Sequence, residues 1–228
     1  MTSIKENIST IRKQITRTAL ACGRDPETIT LIGVSKRKSA DTVSKAIAAG
    51  SSHLGENYIQ EAVDKIDILG KDSACWHFIG HLQSNKARFA VQYFDYIHTV
   101  DTVKLAREID KQAAKIGKVQ KIFLQVNIAQ ENTKSGAGEQ EAISLARQFS
   151  LFENLSLEGL MCMPPFFDDP QEARIYFKKL GLIQMQIQAT GMETLVHLSM
   201  GMSNDFHVAI EEGATMVRVG TAIFGSRD

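Results

Sequence analysis

The sequence predicts an α/β protein built as one (β/α)8 barrel spanning residues 1–228, of the TIM type, with an extra helix ahead of the first strand. Three observations carry this. From Thr30 onward, short apolar runs rich in β-branched residues alternate with helical patterns until eight strands have been counted. A helix in every gap demands parallel strands. No Gly-x-Gly-x-x-Gly turn follows the first strand, and nothing between the elements reads as an interdomain linker; Pro26, Pro164, Pro165 and Pro170 all fall in loops. A doubly wound open sheet is the alternative that these features disfavour.

The elements follow in order. A capped amphipathic helix spans Ser3–Ala21. Strands are expected at 30–35, 52–55, 76–80, 96–100, 121–127, 157–163, 194–199 and 216–220. Helical periodicity fills 40–49, 58–68, 84–91, 103–116, 139–149, 170–189 and 204–212. Gly50 and Gly213 stand where helices would end, and Asp101-Thr102 and Ser203-Asn204-Asp205 where helices would begin.

Composition narrows the function classes. Lys plus Arg and Asp plus Glu each number 26, so the net charge is zero, which argues against nucleic acid or an anionic membrane as main partner. Cys22, Cys75 and Cys162 are odd in number and show no CxxC spacing, as expected of reduced thiols in a cytoplasmic setting. The first 22 residues are charged and helical rather than signal-like, and no run approaches the roughly 20 apolar residues of a membrane span. A soluble cytoplasmic protein is expected. His77 and His81 are four apart, but on a strand and turn rather than on one helix face, so no metal site is expected. Lys36-Arg37-Lys38 is too short for a nucleic-acid patch.

Chemistry in this fold belongs at the C-terminal ends of the strands. The first strand ends on Lys36, an unusual residue there because a buried ammonium is costly. It either snorkels into solvent or serves as an amine nucleophile toward a carbonyl. The loops after the last two strands, 198–205 and 217–225, contain Gly201, Gly220 and Gly225, with Ser199 and Thr221 as hydroxyl donors. In barrels these loops commonly cup phosphate, although ordinary cap residues would look similar. Arg218 shares the inward side of its strand with Gly220, and its acceptor is either a carboxylate such as Glu56 or Glu158 or a ligand. Lysine, anion cup and inward arginine are together the parts of a pyridoxal phosphate site, with lysine forming the aldimine and arginine facing the pyridine nitrogen.

Several longer motifs sharpen the reading: 31-LIGVSK-36, 54-LGENY-58, 76-WHFIGHLQSNK-86, 160-LMCM-163, 198-LSMGMS-203 and 218-RVGTAIFG-225. In this order the chain resembles the pyridoxal phosphate homeostasis family, also described as alanine racemase N-terminal domain-like, from about Ile4 to Arg227. The resemblance implies Lys36 as aldimine lysine, Ser199, Gly220 and Thr221 as phosphate ligands, Arg218 at the pyridine nitrogen and Asn57 beside the cofactor. It also includes the loop Val126-Asn127…Glu131…Lys134-Ser135-Gly136, to which no chemical role is attached. The methionines near 161–163 and 200–202 serve either as core or as a soft pocket wall.

Two functions remain open: a carrier that buffers or delivers pyridoxal phosphate, passing it transiently to apo-enzymes, or a racemase-type enzyme using the same cofactor. Racemisation needs a proton acceptor on each face of the substrate carbon, and Lys36 covers one. The sequence ends seven residues after Thr221, so the C-terminal β-domain of alanine racemases, with its opposing tyrosine and dimer-building surface, is expected to be lacking. A non-catalytic, monomeric carrier is the expectation.

Overall fold

Eight parallel strands close into one barrel, each strand bonded to the next in sequence and the last returning to the first. The computed structural model describes residues 3–131, 135–192 and 194–225. Its strands are β1 (Thr30–Val34), β2 (His53–Glu56), β3 (Cys75–Phe78), β4 (Tyr96–Val100), β5 (Gln120–Gln125), β6 (Leu155–Met161), β7 (His197–Ser199) and β8 (Met216–Val219). The helices are α1 (Ile4–Ala21), α2 (Ala40–Ala48), α3 (Ile59–Leu69), α4 (Ala87–Tyr93), α5 (Val103–Lys115), α6 (Glu139–Phe149), α7 (Arg174–Gln188), α8 (Phe206–Glu211) and the short α9 (Thr221–Phe224). Closure runs from Thr30 opposite Met216 to Gly33 opposite Val219, which sets the ends of β1 and β8 side by side.

Helix α1 forms because Ser3 and Glu6 make a reciprocal capping box and Ile8, Ile11, Ile15 and Ala19 recur at helical spacing, all buried. It lies against the end of the chain: Asn7 Nδ2 donates to Ile223 O at 2.9 Å, and just beyond the helix Arg24 donates to Ile210 O at 2.7 Å. Three helices begin differently from expectation. Residues 170–173 and 84–86 form 3-10 turns before α7 and α4, the former capped by Asp169 on Gln171 N and started by Pro170. The residue run 204–212 turns helical only at Phe206, because the Asp205 carboxylate reaches back to Met202 N instead of forward.

Most of the core lies between sheet and helices, with Trp76, Phe78, Phe94 and Phe177 fully buried there. Inside the barrel the apolar filling shrinks to Ile32, Phe123, Met161 and Met216, with Tyr96 against them. The remaining interior is polar, taken up by His77, His98, Ser199 and Arg218. Such a floor is unusual for a barrel whose interior layers are ordinarily branched aliphatics, and it underlies the site described next. Cys22, Cys75 and Cys162 are free thiols, and among the described residues no helix is long and apolar enough to cross a membrane.

Gly80, just past β3, lets the β2–α3 loop pass close by. A Cβ there would sit 2.0 Å from Asn57 O. Gly80→Ala is therefore expected to displace Asn57 and to destabilise the fold by about 1–3 kcal/mol, read by urea unfolding; unchanged stability would contradict the close approach.

Candidate functional site

The C-terminal strand ends surround a cavity of about 380 Å³. Lys36, Asn57, Arg218, Gly220 and Thr221 all line it, and Met163, Met202 and Phe166 supply apolar wall. Both readings of the methionines hold, since Met161 and Met200 are core.

Lys36 is placed by a buried ionic knot beneath it. Ser35 leaves the strand with its hydroxyl donating to Glu56 Oε1 at 2.6 Å, while Lys65 from α3 donates to Ser35 O and to the same carboxylate oxygen, each at 2.7 Å. Glu61 also pairs with Lys65 at 2.7 Å and accepts the backbone N–H of Arg37. Arg37 sits at φ +60°, the left-handed region that non-glycine residues seldom adopt, and Lys38 N closes the turn onto Ser35 O at 3.1 Å. Backbone on both sides of Lys36 is thereby anchored. Burial holds the Glu56 carboxyl above the usual carboxylate range, with Lys65 and Ser35 pulling it back.

Arg218 enters from β8 with 3 % of its surface exposed. Neither carboxylate suggested by the sequence meets it: Glu56 is held by Lys65, and Glu158 accepts from Ser156. Its Nη1 donates to Ser199 Oγ at 2.7 Å and its Nη2 to Cys162 O at 2.8 Å. The cation thus rests on a hydroxyl and a carbonyl, and burial lowers its proton affinity, with Cys162 and Asp205 nearby opposing the shift.

Ser199 is the end of a chain of hydrogen bonds through the barrel. His98 Nδ1 lies 2.9 Å from Ser199 Oγ, His98 Nε2 lies 2.9 Å from His77 Nδ1, and His77 Nε2 lies 2.9 Å from His53 Nδ1. Burial depresses all three histidines, His77 and His98 well below their ordinary value, so they are neutral near pH 7. A neutral imidazole has one donor and one acceptor, so the chain runs in a single direction. Ser199 accepts from Arg218 and its hydroxyl hydrogen has only His98 to donate to among the described partners, which assigns the proton to Nε2 of His98, of His77 and of His53.

Loop residues after β7 and β8 supply further hydrogen-bonding groups at the cavity. Ser203 and Thr221 present hydroxyls, Gly220 N donates to Ser203 Oγ at 3.3 Å, and the first amides of α9 precede any intrahelical acceptor. Gly201 at φ +89° makes this possible, since a Cβ there would lie 2.6 Å from Ala209 Cβ. Across the cavity, Asn57 Oδ1 is a buried acceptor without a partner.

Of the six residues expected at the cofactor, five line the cavity, and Ser199, the last residue of β7, points into the barrel and supports Arg218 from below. Ser203, four residues later, lines the cavity. The signal was present in Ser203-Asn204-Asp205, where a hydroxyl follows Gly201, but it reads as a helix cap. His81 is exposed and bonded to Ser135 Oγ rather than bordering the cavity. Asn127 pins its loop, its N–H on Ala137 O and its Nδ2 on Glu131 O, both at 2.9 Å; Lys134 lies outside the described residues.

A parallel eight-stranded barrel with a lysine closing β1 and an arginine on β8 defines a class of lysine-bearing barrel sites. The chain belongs to the family described as alanine racemase, N-terminal domain, which matches residues 2–228. Proteins named pyridoxal phosphate homeostasis protein in Vibrio alginolyticus and Escherichia coli K12 are each 41% identical to it, over 100% of this chain and 99% and 98% of theirs. PipY of Synechococcus elongatus, solved without and with pyridoxal phosphate, matches 98% of this chain and 100% of its own at 36% identity, with TM-scores of 0.89 and 0.87. Alanine racemase of Clostridium difficile is 14% identical and shares the barrel, TM-score 0.76, with this chain covering 57% of it.

Two outcomes follow. Lys65→Met leaves Glu56 buried against a hydroxyl alone and is expected to cost about 3–5 kcal/mol in urea unfolding, part of which Lys65→Met/Glu56→Gln recovers; additive losses would show that the pair is uncoupled. The histidines bind protons when unfolded, near 6.5, that the native barrel refuses. Stability in chelator-containing buffer is therefore expected to fall as pH drops below 6.5, approaching about 1.4 kcal/mol per pH unit for each of His77 and His98. His98→Gln should flatten the profile; an unaltered slope would refute the assignment.

Proposed function

We propose that this protein binds pyridoxal 5'-phosphate covalently through Lys36 and serves pyridoxal phosphate homeostasis, holding and releasing the cofactor without turnover of its own. The observation that carries the reading is the convergence, in one cavity, of Lys36 with the carboxylate-free cation of Arg218 and the hydroxyl-lined turn at Ser203 and Thr221. The residues fit the group: Asn57 Oδ1 is an unpaired buried acceptor at the cavity, and the start of α9 at Thr221, which also lines the cavity, offers backbone amides that no helical carbonyl takes up. The names of the relatives and the solved complex of PipY with pyridoxal phosphate support it.

When bound, the cofactor supplies an aldehyde that reacts with an amine and a ring that withdraws electrons. The chain's residues divide the work. Lys36 Nζ provides the amine, Ser203, Thr221 and the Gly220–Thr221 backbone hold the phosphate, and Asn57 orients the ring edge. Ser199 acts one step removed, by fixing Arg218. Arg218 donates hydrogen bonds and keeps its charge, so an aromatic nitrogen facing it stays unprotonated and withdraws electrons less strongly. Racemisation also needs a second proton acceptor opposite Lys36. Asp205 is the other proton acceptor among the described lining residues, and its carboxylate caps Met202 N at 2.6 Å. These features favour carriage over catalysis, and the proposal extends to a monomer that delivers the cofactor to apo-enzymes.

Protein reconstituted with pyridoxal phosphate is expected to be yellow, and borohydride followed by peptide mapping to place the label on Lys36. Lys36→Ala should lose the visible band while keeping its circular dichroism. Colour retained in that variant would move the attachment elsewhere, and amino-acid racemisation near roughly 1 per second would overturn the carrier reading. Transfer to an apo-enzyme that survives a trap for free cofactor distinguishes delivery from passive release.

A further inference from the structure

The far end of the barrel carries a second constellation. His53 and Cys75 face each other across the β2–β3 ladder, and His77 lies two residues beyond Cys75 on the same face of β3. Their ligand atoms converge: His77 Nε2 is 2.9 Å from His53 Nδ1 and 3.5 Å from Cys75 Sγ, and all three atoms lie within 4.8 Å of one another. Ligands on a tetrahedral ion at about 2.0–2.1 Å (nitrogen) and 2.3 Å (sulfur) sit about 3.3–3.8 Å apart, so only small shifts are needed to accept one. His77 is fully buried and its ring is clamped by Tyr96, stacked at 4.7 Å, while His53 and Cys75 are partly exposed and give the ion a way in. Asp95 and Lys121 are the charged groups that face the thiol.

We propose that His53, Cys75 and His77 form a three-ligand site for a borderline-soft divalent ion of the zinc type, at the barrel end remote from Lys36, with a fourth position open to water. Two imidazoles and one thiolate suit zinc and cobalt and disfavour magnesium or calcium, which take oxygen. Loading releases the Cys75 proton to solvent. His77 must offer its Nε2 lone pair, so its proton moves to Nδ1 and is donated to His98 Nε2 at 2.9 Å. His98 in turn carries its proton on Nδ1, facing Ser199 Oγ, which then accepts from both His98 and Arg218 and loses the acceptor for its own hydrogen, a cost that metal ligation must offset. Occupancy at one end of the barrel thus reverses the hydrogen-bond chain that ends under Arg218 at the other.

The test uses full-length, tag-free, cofactor-free protein and Co²⁺, then Zn²⁺ in competition. One equivalent of Co²⁺ is expected to give visible d–d bands and a near-ultraviolet thiolate charge-transfer band, both abolished by Zn²⁺. Cys75→Ser should remove the charge-transfer band and weaken Zn²⁺ binding by about 100-fold or more by calorimetry, and His53→Gln should weaken it at least about 10-fold. Cys22→Ser, on the exposed thiol, should change neither. Absence of stoichiometric Co²⁺ binding at micromolar protein overturns the proposal. So does a thiolate band that survives Cys75→Ser, or one lost in Cys22→Ser.

Discussion

The ammonium of Lys65 holds the site together. It reaches from α3 to the end of β1, where it donates to Ser35 O and bonds Glu56 and Glu61. An ammonium 6 % exposed against a fully buried carboxylate is costly unless every contact is close, and all three contacts are 2.7 Å. The knot joins the ends of β1 and β2 to α3 and leaves the residue between Ser35 and Arg37 nowhere to go but into the cavity. Left-handed backbone at Arg37 persists because Glu61, itself fixed by Lys65, takes the Arg37 N–H. The position of Lys36 is therefore a property of its neighbours' ionic bonds more than of its own strand.

A second constraint follows inside the barrel. An arginine with no carboxylate hydrogen-bonded to it among the described residues, 3 % exposed, requires dipoles aimed at it, and Ser199 and Cys162 O supply them. A serine that accepts from arginine must give its own hydrogen away, and in a closed interior only another polar side chain can take it. His98, His77 and His53 pass that requirement to the edge of the barrel. The polar floor is the continuation of one buried charge, not a set of separate exceptions to apolar packing.

Much of this was legible in the chain. Alternating strands and helices give the barrel because their periods differ plainly, and β4 and α6 occupy the residues expected of them. Lys36 and Arg218 stand out because charge at the end of, or within, an apolar run needs a reason. The depth at which Ser199 sits was not legible, for a physical cause. Strand alternation says which side it faces but not at which depth, and one residue of depth separates the cavity wall from the layer beneath it. Lys65 is hidden by its setting, since a lysine four residues after Glu61 reads as an ordinary exposed helix pair. The histidines are scattered over β2, β3 and β4, and only closure of the barrel, with His53 level with Cys75 and His77 level with Tyr96, brings them into one line.

The same charge also argues for what the site does. A buried cation whose hydrogen-bond partners are a hydroxyl and a carbonyl retains attraction for electron-rich atoms, which favours a ligand that brings one to Arg218. An enzyme working through a strong electron sink would place a carboxylate there, able to hold a proton on the ligand. Arg218 cannot do this, because its hydrogens are donated and its charge repels a second positive charge. Under the reading proposed above, a ligand engaged by Lys36 at one end and by Arg218 at the other is kept in place with little activation of its ring, which is what a carrier requires.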